Sequence, residues 1–159
     1  MAHRRKLAAG NWKMNGLHES LAEIRALVAD SATAACDIAV CPLATLIREA
    51  VALVAGSPVM IGGQDCHAAK SGAHTGDLSA EMLADAGAAL VLVGHSERRT
   101  DHKETDAGVR AKAEAAWRAG LIAVVCIGET EAERRGGLTD AVLSRQLAGS
   151  IPDAANAVN

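Results

Sequence analysis

Two short segments carry side chains that can handle an anion and a proton. The first is Asn11-Trp12-Lys13-Met14-Asn15-Gly16 and the second is Gly94-His95-Ser96-Glu97-Arg98-Arg99. A lysine and an amide placed together on a loop suit a small anionic substrate, although an isolated N-x-K also reads as a solvated lysine in a tight turn. In the second segment a histidine leaves the apolar run Val91-Leu92-Val93 immediately before Ser-Glu, which reads as the opening of a helical turn. Backbone N–H groups at a helix start disfavour an imidazolium, so a neutral His95 can donate a proton to a developing oxyanion. Glu97 and the two arginines beside it can hold the loop or the lysine in place. Taken alone, the same segment equally reads as a core histidine beside a surface ion cluster.

A third segment, Gly62-Gly63-Gln64-Asp65-Cys66-His67, leads into a long loop with Ser71-Gly72-Ala73-His74-Thr75-Gly76-Asp77. Cys66, His67 and His74 invite a metal reading, but catalytic zinc takes three well-spaced ligands and no fourth donor is evident, so no metal is assigned. A loop of this length in a compact domain more often binds or forms an interface. A fourth segment, Cys126-Ile127-Gly128-Glu129-Thr130, places Cys126 within an apolar run and Glu129 just beyond it.

These segments need a scaffold that brings them together. Apolar runs recur at Lys6 to Gly10, Asp37 to Cys41, Val59 to Gly63, Leu90 to Gly94 and Ile122 to Ile127, starting about 29 residues apart. Each is too short for a helix, and together they read as parallel strands buried on both faces, one per βαβ period. Helical stripes lie between them: Leu21, Ile24, Leu27 and Val28 behind Asn15 or Ser20; Leu46, Ile47, Ala50, Val51 and Val54; and Met82, Leu83 and Ala86 behind Ser79. Val109, Ala113, Ala116 and Trp117 form a fourth, closed by Gly120. Val142, Leu143 and Leu147 form a fifth, with a separate helical turn at Glu131 to Arg135. The pattern predicts one α/β domain over residues 1–159, either an open doubly wound sheet or part of a (β/α)8 barrel; in both, function sits at the carboxyl ends of the strands.

Composition narrows the partners. Half the chain is hydrophobic, with two Trp, no Phe, no Tyr and 35 Ala, so the core is built from Ala, Val, Leu and Ile. The net charge is −3 with interspersed signs, which predicts no nucleic-acid partner, and no apolar run reaches the length of a membrane span. Cys36, Cys41, Cys66 and Cys126 lack any C-x-x-C spacing and read as buried thiols of a cytoplasmic protein.

From Lys6 onward the chain resembles the triosephosphate isomerase family, with NWKMNG at 11–16, GQDCH and GAHTGD in the third loop, VGHSERR at 93–99 and CIGET with a following E-x-x-x-R-x-G in the family's order. The resemblance implies a TIM barrel and interconversion of dihydroxyacetone phosphate and D-glyceraldehyde 3-phosphate through an enediolate, in glycolysis and gluconeogenesis, without metal or organic cofactor. It makes Lys13 the cation for the substrate phosphate, Asn11 its neighbour in the substrate site, and His95 the neutral electrophile. Glu97 lies close to Lys13 and Asn11, with Ser96 and Cys126 behind the site. It also implies a homo-oligomer in which the 65–79 loop, through Thr75 and Gly76, inserts into a partner subunit, with Met14, Gln64 and Arg98 near that contact.

The family barrel has about 250 residues and eight strands. Five strand-helix units are expected here, ending just short of the family segment YEPVWAIGTG, which brings the catalytic glutamate and the lid. The later phosphate-binding loops are likewise not expected. Leu43 stands where a second Pro is usual, His74 and Asp77 where Phe and Glu are common, and Thr100 to Lys103 lacks the usual aromatic. Three outcomes follow: a fragment with little activity alone, a short form completed by association through exposed sheet edges, or a non-catalytic chain that binds small phosphates or assembles. A doubly wound nucleotide binder is the alternative fold, and it would need a Gly-rich loop where Asn11 to Gly16 stands.

Overall fold

The computed structural model describes residues 6–155. Five strands form one parallel sheet: β1 (Leu7–Asn11), β2 (Asp37–Cys41), β3 (Val59–Gly63), β4 (Leu90–Val93) and β5 (Ile122–Val125). Their spatial order is their sequence order, with β1 paired to β2, β2 to β3, β3 to β4 and β4 to β5. A doubly wound sheet reverses direction at a switch point and puts its first strand inside; here β1 is an edge, so the alternatives resolve to a partial (β/α)8 barrel.

The helices are α1 (Leu21–Asp30), α2 (Ile47–Val54), α3 (Ala80–Asp85), α4 (Ser96–Asp101), α5 (Asp106–Arg118), α6 (Glu131–Arg135) and α7 (Thr139–Ser150). Side-chain oxygens mark several starts. Ser79 accepts from the Met82 amide, Thr105 from that of Gly108, and Thr130 and Glu133 exchange bonds in a capping box. Gly120, at a φ of 78°, follows α5 where a left-handed residue is needed. None of the described helices is long and apolar enough to cross a membrane.

Alternation along the strands divides the core in two. Val40, Val59, Ile61, Val91 and Val93 face the helices and pack with Leu21, Ile24, Ile47, Ala50, Leu83 and Val109. Ala39, Cys41, Leu90 and Leu92 gather on the opposite face with Met60 and Val124 beside them. Two glycines let the sheet be this close on both sides. A Cβ on Gly62 would lie 2.5 Å from Leu90 Cδ1 and 2.8 Å from Cys41 Sγ, and one on Gly63 would lie 2.6 Å from Leu83 Cδ1.

Three expectations change. The strands are not all buried on both faces: β1 is exposed from Leu7 to Gly10, and Ile122 of β5 is 39% exposed. Each of these edge strands has one strand neighbour among the described residues, and helices cover only one face. In α7 the buried positions are Val142, Gln146 and Ser150, whereas Leu147 is 46% exposed, because the inward stripe carries polar clamps in place of leucines. Finally, Cys41 and Cys66 are buried, but Cys36 and Cys126 are half-buried. Burial pushes the Cys41 and Cys66 thiols up to about 12, which leaves them unreactive at neutral pH.

The substitution Gly62→Ala is expected to destabilise the fold by about 1–3 kcal/mol through overpacking against Leu90 and Cys41. Urea unfolding measures it, and an unchanged midpoint would show that the two faces relax more freely than their spacing implies.

Candidate active site

The site begins where β1 ends. Asn11 Oδ1 accepts the Lys13 backbone N–H at 2.9 Å, and Lys13 sits at a φ of 54°, a left-handed conformation that costs a non-glycine residue about 1 kcal/mol or more. The Gln64 amide holds it there, with Nε2 donating to Lys13 O at 2.8 Å and to Cys41 O at 2.9 Å. Asn15 Nδ2 closes the turn on Trp12 O at 3.0 Å. The outcome is a lysine whose direction is set by its backbone before its side chain meets anything.

The second half comes from the end of β4. Gly94, at a φ of 71°, turns the chain under the Val109 methyls, and His95 follows as the residue preceding α4. His95 Nδ1 lies 3.5 Å from the Glu97 backbone nitrogen and 3.2 Å from Glu97 Oε2. The first contact uses a lone pair on Nδ1 and leaves the ring proton on Nε2; the second uses a proton on Nδ1. The other carboxylate oxygen of Glu97 pairs with Lys13 Nζ at 3.0 Å, and that bond holds the Glu97 carboxyl below the ordinary glutamate range. Lys13, Glu97 and His95 thus form one chain of polar contacts across the ends of β1 and β4. They line an open cleft of about 620 Å³ together with Asn11, Gln64, Asp65 and Arg98.

Beneath the cleft is an ion network. Arg98 Nη2 reaches Asp65 Oδ2 at 2.9 Å and its Nε reaches Glu104 Oε1 at 2.6 Å, while Lys112 Nζ bonds both Asp65 oxygens at 2.8 Å and also pairs with Glu104. Burial works to raise both carboxyls. For Asp65 burial dominates despite Lys112 and Arg98; for Glu104 the two cations outweigh it and the pKa is lowered. Gln64 and Arg98, expected near a subunit contact, therefore have their polar heads turned inward. Met14 is 91% exposed, and residues 71–78, with Thr75 and Gly76 among them, are exposed throughout.

The remaining candidates take distinct places. Ser96 is exposed in the first turn of α4. Cys126 contributes its backbone, with its N–H donating to Val93 O at 2.9 Å and its carbonyl accepting from Arg99 at 3.2 Å, while burial pushes its thiol up. Glu129 accepts from Thr139 Oγ1 at 3.4 Å and lies 3.5 Å from Arg134. In the third loop the His67 and His74 rings stack at 3.9 Å, with Asp77 close enough that one ligand atom from each lies within 4.8 Å of the others. The Ala69 N–H donates to His67 Nδ1 at 3.0 Å, so the proton of a neutral His67 ring sits on Nε2 and no lone pair is left free on it. Cys66 is apart from this group, its thiol directed at Lys112 O at 3.7 Å.

Asp65, Glu104, Lys112, Asp106, Gln146 and Ser150 escaped sequence reasoning. The polar positions 146 and 150, four apart and in step with Val142, were the one available signal.

Because Glu104 has a lowered pKa in the folded chain, its contribution is complete above the ordinary glutamate range and is lost as pH falls through the lowered folded value. Glu104→Gln is expected to cost about 2 kcal/mol at neutral pH, with the gap to the parent narrowing below about pH 4. Urea titrations at the two pH values check this, and a pH-independent gap would contradict it.

The profile of the triosephosphate isomerase family matches residues 6–159. A triosephosphate isomerase of Afipia carboxidovorans is 64% identical over 157 residues, covering 98% of this chain and 62% of that protein. The Xanthobacter flavus triosephosphate isomerase is 58% identical over 158 residues, covering 99% and 64%. The crystal structure of triosephosphate isomerase from Bartonella henselae superposes with a TM-score of 0.91 at 51% identity, over 95% of this chain and 63% of that one. The chain therefore spans a little under two thirds of the length of the relatives it matches.

Proposed function

The chain belongs to the triosephosphate isomerase family, and we propose that its strand-end cleft is the cationic and electrophilic half of an isomerase site for a small phosphorylated triose. Lys13 draws in the phosphate and stabilises negative charge developing on the substrate, and Asn11 orients beside it. His95, with its ring proton on Nε2, polarises the carbonyl and moves a proton between the two oxygens as dihydroxyacetone phosphate and D-glyceraldehyde 3-phosphate interconvert through an enediolate. This family is itself the standing example of a neutral imidazole held in that role by a helix N-terminus. Glu97 holds Lys13 through its carboxylate and donates its backbone N–H to His95 Nδ1, Ser96 opens the helix that N–H belongs to, and Cys126 supports the site through its backbone carbonyl. Every step runs through side chains, with no metal or organic cofactor.

The observation that carries the reading is the convergence of the Lys13–Glu97 pair from the ends of β1 and β4 with His95, whose Nδ1 faces the Glu97 N–H, over a single cleft. The reaction also needs a base for the carbon-bound proton, and general base catalysis contributes about 10²–10⁴-fold. Glu97 is engaged by Lys13, and Glu129 by Thr139 and Arg134, so neither is free for that task. Turnover by the separate 159-residue chain is therefore expected to be slight unless association brings another carboxylate to the cleft. A coupled isomerase assay across protein concentration, with mass in solution recorded, tests this. Activity that rises with association and vanishes in His95→Gln supports the reading. Activity equal in His95→Gln and the parent would sink it, and phosphate binding without turnover at any concentration would favour a non-catalytic phosphate-binding chain.

Association itself is part of the proposal. The 65–79 loop, exposed over residues 71–78 with Thr75 and Gly76 among them, borders an apolar groove of about 250 Å³ lined by Ile47, Leu78, Met82 and Leu83, and Met14 projects beside the cleft. These features, with the edges of β1 and β5, suit a second copy of this chain in a cytoplasmic setting that keeps four thiols free. Paired Met14→Arg and Thr75→Arg substitutions are expected to shift sedimentation toward monomer. An unchanged distribution would remove the loop from the assembly.

A further inference from the structure

His95 is held from both sides of its peptide. Its own carbonyl accepts the backbone N–H groups of Arg98 at 2.9 Å and Arg99 at 3.1 Å, which fixes the start of α4. The preceding carbonyl, Gly94 O, belongs to a residue at a φ of 71° and accepts Arg99 Nε at 2.8 Å. The rest of that guanidinium points away from the cleft. Its Nη1 donates to Asp106 Oδ1 at the start of α5, and its Nη2 to Cys126 O beyond β5 at 3.2 Å and to Ser150 Oγ at the end of α7 at 3.0 Å. Ser150 is fully buried and donates to Asp106 in turn, at 3.2 Å. The α7 backbone meets Asp106 so closely that a Cβ on Gly149 would lie 2.6 Å from it. With its side chain 13% exposed, Arg99 thus ties α5, α7 and the chain just beyond β5 to the one peptide that introduces His95.

We propose that Arg99 is a positioning residue for His95: its guanidinium fixes the Gly94–His95 peptide against the end of β5 and so sets the direction in which the imidazole enters the cleft. The planar fork is what the task requires. A lysine would keep the charge beside Asp106 but could not also reach Gly94 O and Cys126 O from a single ammonium. The importance of this position to the protein rests on the reading of His95 as the electrophile, whereas the geometric claim can be tested without substrate.

The experiment is a long-range proton–nitrogen correlation spectrum of the histidine rings in the ¹⁵N-labelled protein, with His95 assigned by its loss in His95→Gln. Arg99→Lys is compared with Asp106→Asn, which weakens the ion pair but leaves Nε on Gly94 O. The expected result is displaced and broadened His95 ring signals in Arg99→Lys, with the other five histidines unmoved and the His95 signals of Asp106→Asn in their parent positions. Folded Arg99→Lys with parental His95 signals would overturn the proposal, as would equal displacement in both variants. If Arg99→Lys does not fold, the parent protein decides: the Arg99 Nε–H must exchange slowly and show coupling across its bond to the Gly94 carbonyl carbon, and a freely exchanging Nε–H would overturn the proposal. No turnover enters the readout, so a chain without isomerase activity refutes the functional reading and leaves this one standing or falling by itself.

Discussion

A parallel sheet stops abruptly at its carboxyl ends, and the carbonyls left there need donors that the ladder no longer supplies. In this chain side chains provide many of them. Gln64 satisfies Lys13 O and adds a second donor to Cys41 O, which also accepts the Trp12 N–H; Arg99 satisfies Gly94 O and Cys126 O; and Gln146 makes a pair of hydrogen bonds with Gly128, donating to its carbonyl at 3.0 Å and accepting its N–H at 2.8 Å. The left-handed lysine, the turn that introduces His95 and the loop carrying Glu129 all depend on these donors. Satisfying the strand ends and arranging the cleft are a single structural problem with one solution.

The apolar half of that arrangement was readable in the sequence. The strand runs, the α5 stripe closed by Gly120, the Ser79 cap and the Glu131 to Arg135 turn follow from local periodicity and capping chemistry, and the structure has each within a residue or two. Local reasoning also placed Lys13, His95 and Glu97 at strand ends. What it missed was polar and distant in sequence. Arg99 finds Ser150 across 51 residues and Lys112 finds Asp65 across 47, and no periodicity encodes such meetings. The α7 stripe was misread for the same reason. A glutamine and a serine occupy core positions because the partners they serve, Gly128, Arg99 and Asp106, lie far away in sequence, so the nearby leucine looks the better core residue.

The alanine-rich composition explains why polar clamps matter so much. Ala113, Ala115 and Ala116 are fully buried in α5, and Ala50 and Ala80 in α2 and α3. Each lets a helix approach the sheet closely, but a buried methyl removes little apolar surface from water. Close approach and modest hydrophobic gain go together, and charged groups such as Glu104 and Lys112, bonded rather than packed, fasten the upper layer of the fold.

The sheet is not uniformly stitched. β1 and β2 pair over five positions and β4 and β5 over four, but β3 and β4 meet over two, Gly62 with Leu90 and Gly63 with Val91. That seam divides the molecule into two plates. One plate bears Lys13 and the other bears His95, so slippage along the seam is read out directly as the gap between cation and imidazole. The Lys13–Glu97, Arg98–Asp65 and Lys112–Asp65 contacts cross it like stays across a joint. The alignment of the cleft is a mechanical property of the seam between the plates, set by how stiffly two glycines and three ion pairs hold them in register.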